Sequence, residues 1–420
     1  MASQEYLPRV VDSELADRLQ HSGAVLIEGP KSAGKTATAL QVAASAVHVD
    51  TDPDVPAAMD ANPALLLPGA TPRLFDEWQE QPLLWNHIRH EVDARRLPGQ
   101  FILTGSSVPR DDVRRHSGAG RISRMTMRTM SLFETSDSTG EVRLTDLLDG
   151  ETPSAPAGPL TVSRVADLVT RGGWPLAQSY DLASARRYAA DYLDLLVDVD
   201  VAHVAGGRRE PTRIRRLLRS LARNSASEAA LSTLASDVSG TDDTHVARDT
   251  IRDYLDALDR LMIVEDQQAW SPSIRSRARL RRAPKRHLAD TSLACAALRV
   301  TPDRLLKDLN TLGILFESLV VHELRVYAQM IGGEVYHYRD SNGVEADAVI
   351  ELPDGRWAGC EVKLGVGAVD AGAESLLRFA HTVDAGRAGE PAALIVVTST
   401  GTAHRRKDGV GVVPIGLLGP

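Results

Sequence analysis

A short apolar run, Val25-Leu26-Ile27-Glu28, stops at Gly29-Pro30-Lys31-Ser32-Ala33-Gly34-Lys35-Thr36, and an alanine-rich, helix-forming stretch follows. This is G-x-x-x-x-G-K-T with a strand before it and a helix after it, the context in which the pattern acts on phosphate. Gly29 and Gly34 let the backbone curl so that its N–H groups face inward around an anion. The helix beginning near Lys35 turns its positive end to the same point. Lys35 then reaches the β- and γ-phosphates of a nucleotide, and the Thr36 hydroxyl takes one position on Mg²⁺. A glycine loop that only turns the chain would leave the lysine, the hydroxyl and both flanks unexplained. Gly29, Pro30, Lys31, Ser32, Ala33, Gly34, Lys35 and Thr36 are therefore the candidate ATP-binding loop.

Only six of the 48 basic residues are lysine, at positions 31, 35, 285, 307, 363 and 407. Where arginine is the default, a lysine marks a place where a compact ammonium matters. The 420 residues are enough for several domains with real cores. With 43% hydrophobic and 25% charged residues the composition is that of a globular protein, and a net charge of −8 gives no overall field that attracts nucleic acid. Two cysteines, Cys295 and Cys360, cannot build a metal cluster by themselves, and read as free thiols of a cytosolic chain. Residues 1–9 lack an apolar signal core and there is no 18-residue apolar run, so the expectation is a cytoplasmic protein with no membrane partner.

Taken in order, residues 12–20 read as an amphipathic helix, 36–46 as a second helix and 47–49 as a short strand. Arg73-Leu74-Phe75-Asp76-Glu77 is a strand ending in two carboxylates. Beside a phosphate loop, Asp76 is placed to hold Mg²⁺ and Glu77 to polarise the attacking water as a general base. Elsewhere such a pair is a solvated turn. Residues 100–107 form another strand, ending in hydroxyls, so that Thr104 or Ser106 contacts the γ-phosphate or its water, or else caps a helix. Arg121, flanked by Gly118 and Gly120, is a candidate for stabilising transition-state charge in cis or from a neighbouring subunit. A surface ion pair fits its setting equally well.

Tyr6-Leu7-Pro8-Arg9, the phosphate loop, Asp76-Glu77-x-Gln79, Leu103-Thr104-Gly105-Ser106, Gly120-Arg121 and Ser131-Leu132-Phe133-Glu134 follow one another in an order that resembles the prokaryotic AAA-type ATPases carrying a C-terminal domain of uncharacterised function. Gly172-Gly173-Trp174-Pro175 and Phe316-Glu317-x-x-Val320 extend the resemblance over most of the chain. It implies an ATP-binding core, a helical and winged-helix-like middle, and a nuclease-like C-terminal fold. The expected organisation is an α/β protein with a parallel-sheet P-loop NTPase domain at 1–135, a linker or insertion at 136–158, the helical middle at 159–270, a basic connector at 271–304 and a C-terminal α/β domain at 305–420.

The middle region predicts helices at 181–201, 213–223, 231–238 and 250–261, the last three followed by a β-ribbon. Next, Arg275, Arg277, Arg279, Arg281, Arg282, Lys285 and Arg286 crowd into residues 275–287, the most plausible site for DNA or another anion on an acidic chain. A solvated strand face paired with acidic neighbours is the alternative. From residue 313 a long helix, strands at 334–338, 344–351 and 356–363, a helix at 373–380 and a strand at 393–398 follow. This α-β-β-β-α-β order resembles the PD-(D/E)xK nuclease superfamily. Glu361 and Lys363 are two apart on one strand and share a sheet face. Asp347 and Glu361 would then bind Mg²⁺ while Lys363 orients water or stabilises developing charge, with Glu317, or second Glu323, as the acid of the first helix. The competing reading is a structural ion-pair network on a fold that no longer cuts.

Together these features describe a Mg²⁺-ATP-hydrolysing switch that controls a nuclease-like, DNA-interacting domain. Two alternatives stand beside it: an ATP-switched DNA-binding regulator with an inactive nuclease fold, and a protein-interaction switch in which DNA plays no part. The oligomeric state is open.

Overall fold

The structure is a computed structural model that describes residues 6–107, 117–201, 210–239, 246–272 and 282–420. The chain divides into two compact units, Met1–Thr129 with Ala257–Ile263, and Met130–Asp256 with Val264–Pro420. Among the described residues, no helix is long and apolar enough to cross a membrane.

In the first unit, helix α1 (Val11–His21) leads into β1 (Ala24–Glu28), and α2 (Lys35–Leu40) follows the phosphate loop. Then come β2 (Ser45–His48), α3 (Asp54–Ala61), β3 (Arg73–Asp76), α4 (Leu84–Arg95), β4 (Phe101–Gly105) and β5 (Ile122–Thr126). The strands form one parallel sheet in the order β2-β3-β4-β1-β5. A parallel sheet is covered on both faces, and its strands read as continuous apolar runs. Accordingly β4 is buried at all five positions. Successive side chains of β1 go to opposite cores. Leu26 packs with Phe75, Trp78, Trp85 and Phe101, whereas Val25 and Ile27 pack with Leu15, Leu74, Ile102 and Met125.

Because all five strands run the same way, β1, β3 and β4 deliver Glu28, Asp76 and Gly105 to one rim. The second helix is shorter than its alanine content predicts. It ends at Leu40 because Ser45 to His48 are captured as the sheet edge, in register with Arg73 to Asp76. Tertiary pairing here overrides local helix propensity.

In the second unit, β6 (Val142–Arg143), α5 (Leu144–Leu148) and β7 (Ala155–Ala157) occupy the segment expected to be a linker or exposed insertion. That expectation is corrected: β6 pairs with the C-terminal β16 (Leu418–Gly419), β7 pairs with β14 (Thr402–Arg405), and Leu144, Leu147 and Leu148 are buried. The helices α6 (Val162–Arg171), α7 (Leu182–Leu195), α8 (Pro211–Arg223), α9 (Leu231–Ser239) and α10 (Arg248–Arg260) follow, the last crossing the division between the units. Next is an antiparallel ribbon of β8 (Val264–Gln267) and β9 (Lys285–Leu288), which sets Gln267 opposite Lys285. Helices α11 (Thr291–Leu298) and α12 (Pro302–Lys307) lead to α13 (Leu309–Met330).

After α13 come β10 (Glu334–Arg339), β11 (Glu345–Glu351), β12 (Trp357–Lys363), α14 (Val369–Thr382) and β13 (Ala393–Thr398), with β14 and β15 (Gly411–Pro414) completing a mixed sheet ordered β10-β11-β12-β13-β15-β14-β7. The first three strands are an antiparallel meander, and β13 adds parallel to β12 after the α14 crossover. Phe379 of α14 packs among Trp270, Tyr338 and Trp357, an aromatic cluster that fixes the helix on the sheet.

Candidate nucleotide-binding site and carboxylate cluster

The loop after β1 curls because its backbone adopts left-handed dihedrals at Ser32 (φ 62°) and Gly34 (φ 104°). Gly29 is required for a further reason. A Cβ there would lie 2.0 Å from the carbonyl oxygen of Met127, so only glycine lets the loop leave the sheet at this point. The loop is anchored from the N-terminal segment. Arg9, 7% exposed, donates to Ala33 O at 2.9 Å and to Arg128 O at 2.8 Å. Tyr6 is held in turn by Asp12 at 2.6 Å and lies 2.9 Å from the Thr38 hydroxyl of α2. The sequence reading noted Tyr6 and Arg9 only as part of a resemblance; a buried arginine aimed at loop carbonyls is not visible in local spacing.

Lys35 is buried and donates to Gly29 O at 2.9 Å and Pro30 O at 2.8 Å. Burial lowers its pKa from 10.5 to about 8, partly offset by Glu77 and Asp76. Thr36 Oγ1 donates to Asp76 Oδ1 at 2.7 Å, and Thr104 Oγ1 donates to the same oxygen at 2.5 Å. His48 Nδ1 lies 3.1 Å from Asp76 Oδ2. Thus β2, β3, β4 and the loop all converge on one carboxylate. Thr104 acts through Asp76, and His48, which sequence reasoning passed over, ends the edge strand at the same rim. Glu77 leaves β3 in a left-handed conformation (φ 53°, ψ 44°), and its Oε2 accepts from Ser106 Oγ at 2.9 Å and from Gln79 Nε2. Lys31 is on the exposed side of the loop.

Two hard oxygen donors, the Thr36 hydroxyl and the Asp76 carboxylate, stand side by side next to the phosphate loop, and this donor set suits Mg²⁺. The loop's left-handed turns and the nearby ammonium of Lys35 suit the phosphates of ATP.

Arg121 takes the ion-pair alternative, and its role in cis is corrected. Its carbonyl accepts from Ala24 N at 3.1 Å, at the start of β1 and so at the rim opposite the loop. Its guanidinium pairs with Asp93 at 2.9 Å. It cannot act in cis on a phosphate held at the other end of the strands.

In the second unit, Glu317 of α13, Asp347 of β11, and Glu361 and Lys363 of β12 come together, and Lys285 of β9 joins them. Lys285 Nζ lies 2.6 Å from Glu317 Oε1 and 3.5 Å from Asp347 Oδ1. Asp347 Oδ2 accepts from Val362 N at 2.8 Å, and Lys363 Nζ donates to Glu361 Oε1 at 2.8 Å. Burial, then Asp347, raises the pKa of Glu317 to about 8 and that of Glu361 to about 7. Burial pulls both lysines down, but the surrounding carboxylates together outweigh it, Glu317 and Asp347 at Lys285 and Glu361 and Asp347 at Lys363, and hold them above their ordinary value. Glu361, which is buried, and the partly exposed Glu317 and Asp347 face two ammoniums, which leaves one negative charge in excess. Among the described residues no group of three or more His, Cys, Asp or Glu side chains converges to hold a metal ion. The Mg²⁺ role expected of Asp347, Glu361 and Glu317 does not fit this arrangement, because Lys285 takes one oxygen each of Glu317 and Asp347 and Lys363 takes one of Glu361.

Glu323, the second choice for the helix acid, is not in the cluster. It is buried and accepts from Leu132 N at 2.8 Å and Tyr327 OH at 2.6 Å. The basic stretch is corrected in part. Lys285 and Arg286 are turned inward, each with a 12% exposed side chain, and Arg286 donates to Ala229 O at 2.8 Å and pairs with Asp266 at 3.5 Å. Neither is a free phosphate contact. Arg275, Arg277, Arg279 and Arg281 lie outside the described residues, and Arg282 is half-buried.

Three family models match the chain: an AAA domain over residues 21–136, a domain of unknown function (DUF8612) over 163–304 and a domain of unknown function (DUF4143) over 312–418. The uncharacterised proteins Rv2008c of Mycobacterium tuberculosis and Mb2031c of Mycobacterium bovis are each 28% identical over 359 residues, which covers 84% of this chain and 72% of theirs. Among solved structures, the Walker-type ATPase PABY2304 of Pyrococcus abyssi aligns with a TM-score of 0.42 and 13% identity, over 70% of this chain and 96% of that one. The phosphate loop and its acidic partner thus sit inside the stretch that the AAA model matches, and the chain carries an AAA-type P-loop ATPase domain.

Proposed function

We propose that the first unit binds Mg²⁺-ATP and hydrolyses it, and that the nucleotide state is relayed to the second unit. The observation that carries this reading is the convergence of Thr36 and Thr104 on Asp76, with Glu77 one residue on and held by Ser106. When bound, Mg²⁺ supplies neutralisation of the charge on the β- and γ-phosphates. Thr36 and Asp76 hold that ion, and Lys35 swings from its loop carbonyls to the phosphates. Glu77 takes the proton of the attacking water, and Ser106 and Gln79 keep its carboxylate turned towards the rim. Left-handed backbone at a non-glycine residue is uncommon, and here it aims the carboxylate.

The test is phosphate release and ATP binding in Glu77→Gln. The variant should retain binding and lose turnover by about 10²- to 10⁴-fold, the usual contribution of a general base. Turnover equal to wild type would remove Glu77 from the mechanism.

For the second unit we favour a nuclease-like fold that serves as the output of the switch, not as a metal-dependent nuclease. The order α13-β10-β11-β12-α14-β13 supports the nuclease-like layout, and the three helices α8 to α10 followed by the β8–β9 ribbon support the winged-helix-like reading of the middle. The lysines bound to its carboxylates favour an inactive centre. DNA binding through the arginine-rich stretch is the DNA-directed form of this reading, and its affinity should fall steeply as salt rises. DNA affinity indifferent to salt, or none at low salt, leaves a protein-interaction switch.

A further inference from the structure

Carboxylates on three different elements, one of them flanked by a lysine two residues on, are donor chemistry suited to a divalent cation. What occupies the cluster instead is Lys285. The β8–β9 ribbon carries it in from outside the helix–sheet layout, and its ammonium lies 2.6 Å from Glu317 and 3.5 Å from Asp347, with only 12% of the side chain exposed. A second observation points the same way. Glu361 Oε2 is buried without a hydrogen-bond partner, while the side chain as a whole is 9% exposed. A buried carboxylate oxygen with no donor is costly unless a cation is close. The chain also spends one of its six lysines at this position, a compact ammonium where arginine is its default cation.

We propose that the Lys285 ammonium stands in for a divalent cation: it closes a latent Mg²⁺- or Mn²⁺-type site formed by Glu317, Asp347 and Glu361, and keeps the second unit from metal-dependent chemistry. Without Lys285, three carboxylates would face the single ammonium of Lys363. A doubly charged ion would then restore the balance and give Glu361 Oε2 its partner. The inference does not depend on ATP binding in the first unit, which all variants below retain unchanged.

The test is Mn²⁺ binding by the full chain without nucleotide, followed by electron paramagnetic resonance of the free ion. Lys285→Met should gain one Mn²⁺ per chain that wild type does not bind. That gain should disappear when Glu361→Gln is added, and Lys285→Arg should not show it. In wild type, Glu361→Gln should leave Mn²⁺ binding unchanged. Folded Lys285→Met with no added Mn²⁺ overturns the proposal. Wild-type binding that falls in Glu361→Gln also overturns it, because the site would then be open with Lys285 in place. If Lys285→Met does not fold, Lys285→Gln takes its place in the same comparison, with the same outcomes.

Discussion

Replacing Lys35 by methionine should separate stability from nucleotide binding. Lys35 is buried against its own loop, and burial lowers its pKa from 10.5 to about 8. Holding the charge there costs about 3 kcal/mol relative to the unfolded chain. The folded pKa lies below the unfolded one, so the full cost applies below about pH 8, where both states are protonated. Between about pH 8 and 10.5 the unfolded lysine keeps its proton and the folded one releases it, so stability rises with pH. Between about pH 7.5 and 9.5 wild type should therefore gain about 2 kcal/mol on Lys35→Met, which has no such slope. The methionine variant also leaves the carbonyls of Gly29 and Pro30 without their donor, an offset that does not change with pH. The assay is urea-dependent hydrogen exchange of peptides covering β1 and α2, which reports this unit rather than the whole chain. Parallel curves for the two proteins, within about 0.5 kcal/mol, would refute a buried, depressed Lys35. The same shift has a functional face: phosphates favour the charged lysine, so ATP binding at pH 8 should take up about half a proton, read by calorimetry in buffers of different ionisation enthalpy.

Two further outcomes follow from buried polar groups. Arg9→Met removes the donor to Ala33 O and Arg128 O, and should destabilise the first unit by about 3 kcal/mol and weaken ATP binding, measured by unfolding and nucleotide titration; a variant with unchanged affinity would show that Arg9 does not shape the loop. Burial raises Glu323 to a pKa of about 8, so the folded state keeps a proton that the unfolded chain loses, and wild type should lose stability relative to Glu323→Gln as pH rises from about 5 to 8. Melting curves of the two proteins that stay parallel over that range would contradict it.

The local chemistry of the phosphate loop was legible in the chain because it is contiguous. Glycines at 29 and 34, a lysine, a hydroxyl and flanking elements all lie within a dozen residues, and hydrophobic runs announce the strands that bear Asp76 and Thr104. A parallel sheet then brings strand ends to one rim whatever the loops between them do. The C-terminal order of elements was legible for a similar reason: long amphipathic or apolar segments carry their own period.

Tertiary structure decided what depends on partners distant in sequence. Residues 136–158 have no period of their own, and their two- and three-residue strands exist only because residues 402–405 and 418–419 pair with them. Gly173 is needed because a Cβ would lie 2.1 Å from Met130 O, and Trp174 is fixed by Ser292, contacts that no local pattern announces. Arg121 looked mobile beside its glycines, yet the direction of β5 puts it at the far rim. Lys285 read as one more cation of a basic run. Its burial between Glu317 and Asp347 turns it from a surface charge into the counter-ion of a buried cluster, because Coulomb interaction depends on distance in space and on desolvation, neither of which is written in the spacing of residues along the chain.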